Sequence, residues 1–589
     1  MSAIYGFVGD GDMSLLGAMG DNLAHRGDKC YEWSPAPKVF LGLRSFDERS
    51  TDGDLCQRPS VASAQIYNRE EIISRLRKTL DEAVDDQDLI QASYESWGTE
   101  CFQQFNGDFV VAIWDDQEQR LMLARDPLGV RAVYYFAFQG FIAFASEYKA
   151  FLSLDRFIPA PDLDTIQYFQ ATKYLPVEKT LLRNVCSVPA GNFISYSQHE
   201  ITRHRYWDIR VEPGTISEAT AEEELRRLFL GSLEKRIASV DKLGAELSGG
   251  IDSSAVVGAL RRLRPVEEIK TFTIGSGPDD PEILMARLAS DFYKTEHHEI
   301  FVDPENLAED LPGFVWHLED PVGRTEGYLY YKLTELASSH VDFIFGGTAS
   351  DGLFAGMPRY KVIRLMQYMP FMRRPLEEFY HYTQSSYMPH SAFGKAIKGI
   401  YFGKDALPCP RISGAAPISS PDPLQERREG LLNNTLRKGV LYGGPNSLTK
   451  AEKAHMAYGI EFRSPFTDVD IVRYAFKLPE KYKLHGFKEK YILRRALQPF
   501  VPDEIINRPK FPQRMEYDAS LSNAIESLAE QYLNIQRVRE RGFFTQNEIE
   551  ALRNRPAGKP YPSRQAMQLW TAIVTEVWAE IFLDRSIKV

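Results

Sequence analysis

Leu247-Ser248-Gly249-Gly250-Ile251-Asp252-Ser253-Ser254 follows a short strand-like run, Leu243 to Leu247, and opens an amphipathic stretch from Ser253 to Leu263. Strand, tight turn and helix in that order make a phosphate cradle. The two glycines let backbone approach an anion, the helix N-terminus offers N–H groups that no carbonyl within the helix can satisfy, and the serines add hydroxyl donors. An acid in such a cradle repels its ligand unless a cation intervenes, so Asp252 is a candidate magnesium ligand. A bland reading also exists, because any strand-to-helix turn can use Gly-Gly with a capping serine. A second junction of the same texture, Gly346-Gly347-Thr348-Ala349-Ser350-Asp351-Gly352, follows a strand-like run from Val341 to Phe345. In a parallel sheet it faces the same edge as the first, which makes Asp351 the second candidate carboxylate.

The surrounding chain supports that sheet. Further strands fit Lys270 to Ile274 and His297 to Val302, and helices fit Glu218 to Val240, Pro281 to Tyr293, Pro304 to His317 and Glu326 to Ser339. Short strands separated by amphipathic helices predict a parallel, doubly wound sheet, whose ligands sit at the carboxyl ends of the strands. From Arg359 onward the pattern reads as helical, with a Pro/Ser/Gly-rich loop near Gly403 to Pro423. The first 200 residues differ. Ala3–Val8, Val61–Tyr67, Asp108–Trp114, Arg120–Ala124, Ala132–Phe138 and Phe141–Ala145 are short, β-branched or aromatic, and punctuated by turns such as Asp126-Pro127-Leu128-Gly129. With one helix at about Asp86 to Gly98, they predict an antiparallel α+β sandwich. The texture changes near Pro213-Gly214-Thr215, so the expected units are 1–208 and 215–589.

Composition narrows the classes. The 589 residues are 43% hydrophobic and 26% charged, values that let a chain of this length bury more than one core. The formal charge of −11 opposes a general nucleic-acid surface, and the basic stretch Arg553 to Lys559 reads as solvated surface. No apolar run approaches the ~18 residues needed to span a bilayer, and the first ten residues do not read as a signal peptide. Five scattered cysteines, Cys30, Cys56, Cys101, Cys186 and Cys409, suit neither a disulfide framework nor a zinc site. A cytoplasmic protein is expected.

With those motifs in hand, the Ser248–Ser254 loop resembles the pyrophosphate-binding loop of ATP-pyrophosphatases, and the whole chain resembles asparagine synthetase and its relatives, the β-lactam and carbapenam synthetases and lasso-peptide cyclases. The first half carries Tyr5-Gly6-Phe7-Val8-Gly9, His25-Arg26-Gly27, Ile66-Tyr67-Asn68, Arg125-Asp126-Pro127-Leu128-Gly129 and Phe144-Ala145-Ser146-Glu147. The second carries Gly459-Ile460-Glu461-Phe462-Arg463-Ser464-Pro465-Phe466, Lys490-Tyr491-Ile492-Leu493-Arg494 and a terminal helix with Trp570 and Trp578. The resemblance implies an Ntn-hydrolase-like N-terminal sandwich, followed by an α/β parallel-sheet ATP-pyrophosphatase (adenine nucleotide α-hydrolase-like) domain with C-terminal helices. It implies ATP and Mg2+ as cofactors, with Leu247 and Ile274 near the base, and Ser248, Gly249, Gly250, Asp252, Ser253, Ser254, Gly346 and Gly347 on the phosphates. Asp252 and Asp351 hold the metal. Lys490 matches the family's catalytic lysine, whose ammonium steadies charge developing on phosphate or on a tetrahedral intermediate.

Two departures qualify the function. Glutamine-using members carry Cys after Met1, its amine acting as base and its thiol as nucleophile; here the position is Ser2. Where those members show Asn-Gly-Glu before Ile-Tyr-Asn, this chain has Ser63-Ala64-Gln65, while Arg44 and Asp86 align loosely with pocket residues. Thr348 stands where asparagine synthetases have Glu and β-lactam synthetases Tyr, and Gly352 follows Asp351 where Glu is common. The site expected to be catalytic therefore contains Lys490 and Thr348 but no evident base; Glu319, Asp320 and Glu326 are weak candidates. The expectation is an amide or lactam synthetase of specialised (antibiotic-type) metabolism that adenylates a carboxylate without hydrolysing glutamine. Its alternatives are an asparagine synthetase using ammonia or glutamine, and a non-catalytic scaffold. Partners are small-molecule or peptide carboxylates and amines, with no nucleic acid or membrane; a homodimer is compatible. The aromatic segment Tyr368 to Tyr387 is a candidate lining for a peptide-sized cleft.

Overall fold

Alternation of large apolar and small or polar residues in the first 205 residues builds two stacked antiparallel sheets. In the computed structural model, which describes residues 2–46, 58–76, 84–238, 240, 242–373, 376, 430–508, 518–555 and 559–587, these strands are β1 (Ser2–Val8), β2 (Lys29–Ala36), β3 (Val39–Ser45), β4 (Ser60–Ile66), β5 (Gly107–Asp115), β6 (Arg120–Arg125), β7 (Tyr134–Phe138), β8 (Phe141–Ala145), β9 (Val185–Ser187), β10 (Asn192–Ser197) and β11 (Glu200–Arg205). One sheet runs β2-β3-β1-β8-β7-β9 and the other β11-β10-β6-β5-β4. Ile4, Leu41 and Leu43 from the first meet Val61, Val110, Ala112 and Ile194 from the second in one buried layer, the inward-facing alternation of a sandwich. Five of these strands, β2, β3, β9, β10 and β11, are absent from the sequence-based expectation. The β11 residues are exposed throughout and show no apolar alternation to read.

The second half is a five-stranded sheet of β12 (Leu243–Glu246), β13 (Ile269–Gly275), β14 (Glu296–Phe301), β15 (Phe343–Phe345) and β16 (Glu461–Arg463), in the order β14-β13-β12-β15-β16. Every pairing is parallel. Helices Ile251–Leu263, Pro281–Tyr293, Leu307–Leu318 and Glu326–Ser338 alternate with the first four strands. Apolar clusters cover both faces: Ile274 and Ile344 point into one, Ala245 and Phe345 into the other. The expected doubly wound sheet is present. The expectation of a purely helical chain beyond Arg359 is corrected by β16, three residues whose strand conformation is set by pairing with β15 rather than by any local pattern. The predicted loop at Gly403 to Pro423 and most of the Tyr368 to Tyr387 segment lie outside the described residues. Among the described residues no helix is long and apolar enough to cross a membrane, and Cys30, Cys101 and Cys186 are free thiols.

The two halves share one apolar cluster, in which Tyr5, Phe136 and Phe151 join Phe314, Trp570 and Trp578. The terminal helix Ser563–Phe582 bridges them: the Trp570 indole N–H donates to the Val322 carbonyl at 2.8 Å, and that of Trp578 donates to the Tyr148 hydroxyl at 3.1 Å. Beside this lies a buried ionic cluster. Arg26 donates to both oxygens of Glu452 at 2.7 and 2.9 Å and pairs with Glu147. Lys149 pairs with Glu147 at 2.5 Å, and Lys453 with Glu319 at 2.5 Å, whose other oxygen accepts from the Lys149 N–H at 2.6 Å. Glu319 and Asp320, weak base candidates by sequence, belong to this interface; Asp320 accepts from Tyr148 at 3.3 Å.

Burial by itself would raise the Glu147 carboxyl, but Arg26, Lys149 and His25 outweigh it and hold the group well below the ordinary range. Ionised Glu147 therefore stabilises the fold above ~pH 4, and that contribution fades as pH falls from there toward its folded value. Glu147→Gln leaves Arg26 and Lys149 facing each other without their shared counter-charge. The expected cost is ~3–5 kcal/mol, read as a lowered urea midpoint at pH 7, with a shallower loss of stability below ~pH 4 than in the native chain.

Candidate active site

The order β14-β13-β12-β15-β16 reverses direction between β12 and β15, so no crossover covers the crevice at their carboxyl ends, where open α/β sheets take ligands. Both glycine-rich turns open there. Gly249 has φ +62°, and a Cβ on it would lie 2.5 Å from Met285 Cβ and 2.6 Å from the Met285 carbonyl carbon, so only glycine permits the turn. Gly250 caps helix Ile251–Leu263 with extended backbone and no side-chain cap, leaving the first-turn N–H groups open toward the crevice. Ser248 and Ser253 fix the loop from within, their hydroxyls 3.1 Å apart, while Arg508 donates to the Gly249 carbonyl at 2.9 Å and to Glu282 at 2.7 Å.

The second turn is equally constrained. Ala349 sits at φ +80°, an uncommon conformation for a residue with a side chain. The Ser464 hydroxyl, just past β16, donates to the Thr348 carbonyl at 2.7 Å. A Cβ on Gly347 would lie 2.5 Å from Asp252 Cβ, so the two turns touch through this glycine. Lys490 enters from the start of helix Tyr491–Leu497, itself at φ +52°. Its Nζ contacts Asp252 Oδ2, lies 2.5 Å from Asp351 Oδ1 and donates to the Ser350 hydroxyl at 3.0 Å. Burial pulls this ammonium down, yet the two aspartates outweigh burial and its pKa lies above the usual lysine value. Asp252 Oδ1 is buried with no hydrogen bond. Two carboxylates converging on one point, with one oxygen to spare, fit a hard divalent cation.

These groups line a cavity of 920 Å³. The structure brings Leu247, Ser248, Gly250, Asp252, Ser253, Ile274, Gly347, Thr348, Asp351 and Lys490 to its wall, whereas Gly249, Ser254 and Gly346 stand behind it. Sequence reasoning passed over Glu246, Glu282, Tyr330 and Arg508, which also line it. Glu246, an acid among apolar neighbours one residue before the phosphate turn, was the legible signal; Arg508 had none. Of the weak base candidates only Glu326 reaches the cavity.

Such a cradle, opposed carboxylates and a buried lysine agree with the sequence similarity. Residues 224–580 match the asparagine synthase family and residues 1–207 the glutamine amidotransferase domain family. The chain belongs to the asparagine synthase family. It is 26% identical over 538 residues to asparagine synthetase [glutamine-hydrolyzing] 1 of Bacillus subtilis, covering 85% of this chain and 81% of that one. To amidase chyE of Penicillium rubens it is 25% identical over 519 residues, covering 77% and 76%. The N-terminal half thus has the Ntn-type amidotransferase fold and the second half the ATP-pyrophosphatase fold, and the protein is an ATP-dependent carbon–nitrogen ligase acting on small-molecule substrates.

As an asparagine synthase family member, the chain carries its altered residue, Ser2, buried at the head of β1, its carbonyl accepting from the Ser63 hydroxyl at 2.9 Å. Ser63 in turn accepts from Arg131 at 2.9 Å, and Gln65 Oε1 accepts from Arg463 at 3.3 Å. Arg44 donates to the Gly20 carbonyl at 3.0 Å and to Asp21 at 2.8 Å, and Asp86 is taken by Arg69 and by the Ile66 N–H. Gly347→Ala is expected to weaken ATP binding by roughly tenfold or more, because its Cβ displaces Asp252; calorimetric titration with MgATP reads this, and an unchanged melting temperature places the defect in the site.

Proposed function

We propose that the protein adenylates a substrate carboxylate with ATP, releasing pyrophosphate, and joins the acyl group to an amine other than glutamine-derived ammonia. One observation carries this: Asp252, Asp351 and Lys490 converge beneath the Ser248–Ser254 turn, while the residues around Ser2 are committed to packing. Asp252 and Asp351 would hold Mg2+, whose charge screens the phosphates and lets the carboxylate approach. The turn's N–H groups and hydroxyls receive the pyrophosphate, with Leu247 and Ile274 against the base. The carboxylate oxygen bonds to the α-phosphorus as the bond to pyrophosphate breaks; the amine then displaces AMP from the acyl carbon. Lys490, fixed as a cation, is suited to steady the negative charge of either step. Thr348, at the meeting point of acyl group and nucleophile, supplies a hydroxyl and no base.

The substrate class we favour is a carboxylate and an amine, within one molecule or in two, in specialised metabolite biosynthesis of lactam or antibiotic type. In this reading residues 1–208 are a glutaminase-derived scaffold for the synthetase unit 215–589. Ser63 and Gln65, in place of pocket residues, face Arg131 and Arg463 instead of an open ligand site. A cytoplasmic chain without nucleic-acid or membrane partners, as a monomer or homodimer, suits the −11 charge. The similarity to Bacillus subtilis asparagine synthetase, over 85% of this chain and 81% of that one, favours one other reading, asparagine synthesis from ammonia or glutamine. A scaffold without activity is disfavoured, since it has no need of two carboxylates and a lysine at one buried point.

Exchange of labelled pyrophosphate into ATP, run with L-aspartate, L-glutamate and acidic peptides, tests the reading. Exchange with an acid other than aspartate, lost in Asp252→Asn by ~100-fold or more, is the expected result. Asparagine made from aspartate and ammonium or glutamine would instead establish the synthetase reading, and no exchange with any acid would overturn adenylation.

A further inference from the structure

The proposed amine must lose a proton as it attacks, and neither Thr348 nor Lys490 can take it. Among the acids that line the cavity is Glu246, the last residue of β12, which the proposed chemistry does not yet use. It lines the cavity immediately before the phosphate turn and abuts the second turn as well: a Cβ on Gly346 would lie 2.6 Å from Glu246 Oε2. Glu246 therefore stands between the two turns, next to Gly347 and Thr348.

Behind Glu246, away from the cavity, is His455 of helix Gly444–Met456. Its side chain is fully buried, its ring stacks on Phe462 of β16 with centroids 4.8 Å apart, and its Nδ1–H donates to the Ala451 carbonyl at 2.6 Å. A carbonyl can only accept, so that bond fixes the proton on Nδ1 and leaves Nε2 facing Glu246 Oε1 at 3.3 Å. Both Nε2 and Oε1 are buried and make no other hydrogen bond. A nitrogen lone pair facing a carboxylate is repulsive, so the arrangement is satisfied when one proton lies between them. Structural packing explains neither the acid at the cavity wall nor a buried imidazole aimed at it.

We infer that Glu246 is the catalytic base of amide formation and that His455 is its positioning residue. This rests on the adenylating reading above. The amine lone pair forms the C–N bond while the carbonyl π pair moves to oxygen, and Glu246 takes one N–H proton. The oxyanion pair then re-forms C=O, and the bond to the AMP oxygen breaks with its electrons leaving on AMP. His455 fixes the orientation of the carboxylate from the side away from the cavity. Glu326 also lines the cavity with a buried, unbonded Oε2 but has no such partner.

The full-length protein is assayed by pyrophosphate exchange and by amide formation, using the acid that supports exchange among L-aspartate, L-glutamate and acidic peptides, with ammonium, methylamine or the peptide's own amine as nucleophile. Glu246→Gln is expected to keep exchange within about twofold and to lose ~100-fold or more in amide formation. Glu246→Asp recovers part of that loss. His455→Gln lowers kcat by ~10-fold with little change in KM for the amine, and shifts the pH profile of kcat, which a purely structural role would not do. Hydroxylamine, a weakly basic nucleophile whose adduct sheds its proton to water, still gives hydroxamate with Glu246→Gln. Exchange in the native enzyme with undiminished amide formation by Glu246→Gln overturns the base assignment alone. Absence of exchange in the native enzyme overturns the adenylating reading, and this inference with it.

Discussion

The site exists because the strand order reverses between β12 and β15. Connections from these neighbours leave the sheet on opposite faces, so their carboxyl ends frame a crevice that the chain's own crossovers cannot fill. Everything chemical in this half is placed by that crevice. The turn after β12 supplies the open N–H groups of helix Ile251–Leu263, and the turn after β15 supplies Asp351. β16, pairing on β15, brings Ser464 against the Thr348 carbonyl. Gly347 then lets the two turns approach closely enough for Asp252 and Asp351 to share Lys490.

β16 also explains why the N-terminal half is retained. Arg463 on that strand donates to Glu461 at 2.8 Å, to the Arg236 carbonyl and to Gln65 of the sandwich. Arg236 pairs with Asp468 at 3.1 Å, and Asp468 accepts from Asn106 at 3.0 Å. The halves are thus joined by a buried ion pair, Arg26 with Glu452, and by hydrogen bonds from the Lys149 N–H to Glu319, from Arg463 to Gln65 and from Asn106 to Asp468. Removing the sandwich would expose Trp570 and Trp578 and leave Glu452 without Arg26, an unpaired buried ion costing several kcal/mol. The sandwich thus contributes to the packing of the synthetase half whatever chemistry Ser2 supports.

What the sequence made legible follows the range of the forces involved. The helix Pro281–Tyr293 and strand β8 were read to the residue, because proline at a helix start and a bounded apolar run are local signals. The glycine-rich turn after β12 was legible because Gly-Gly between a strand-like and a helical run is a local signal, and Gly249 takes φ +62° against Met285. β16 and β9, three residues each, were not legible, since their geometry comes from a partner strand distant in sequence. In the site, Asp252, Asp351 and Lys490 were legible through their motifs. Glu246 and His455 are 209 residues apart by their numbering, and nothing in either neighbourhood announces the other.

Local rules fail together at one place. Gly249, Ala349, Ala355 and Lys490 all have positive φ, three of them with a side chain to accommodate, and all lie within or beside the turns that hold Asp252 and Asp351. Lys490 is buried, and a buried lysine between two aspartates is at best an even exchange against apolar packing, because desolvation offsets most of the attraction. Stability therefore does not account for it. Strain and buried charge concentrated at the mouth of a cavity, where both turns end, is the signature of groups held ready for a ligand rather than for the fold. The Lys490 ammonium contacts both carboxylates at the point on which they converge, and in the proposed reaction Asp252 and Asp351 would hold magnesium there. On the proposed reading Lys490 would then serve the phosphates, which accounts for a buried cation whose charged partners are two carboxylates that a metal could take over.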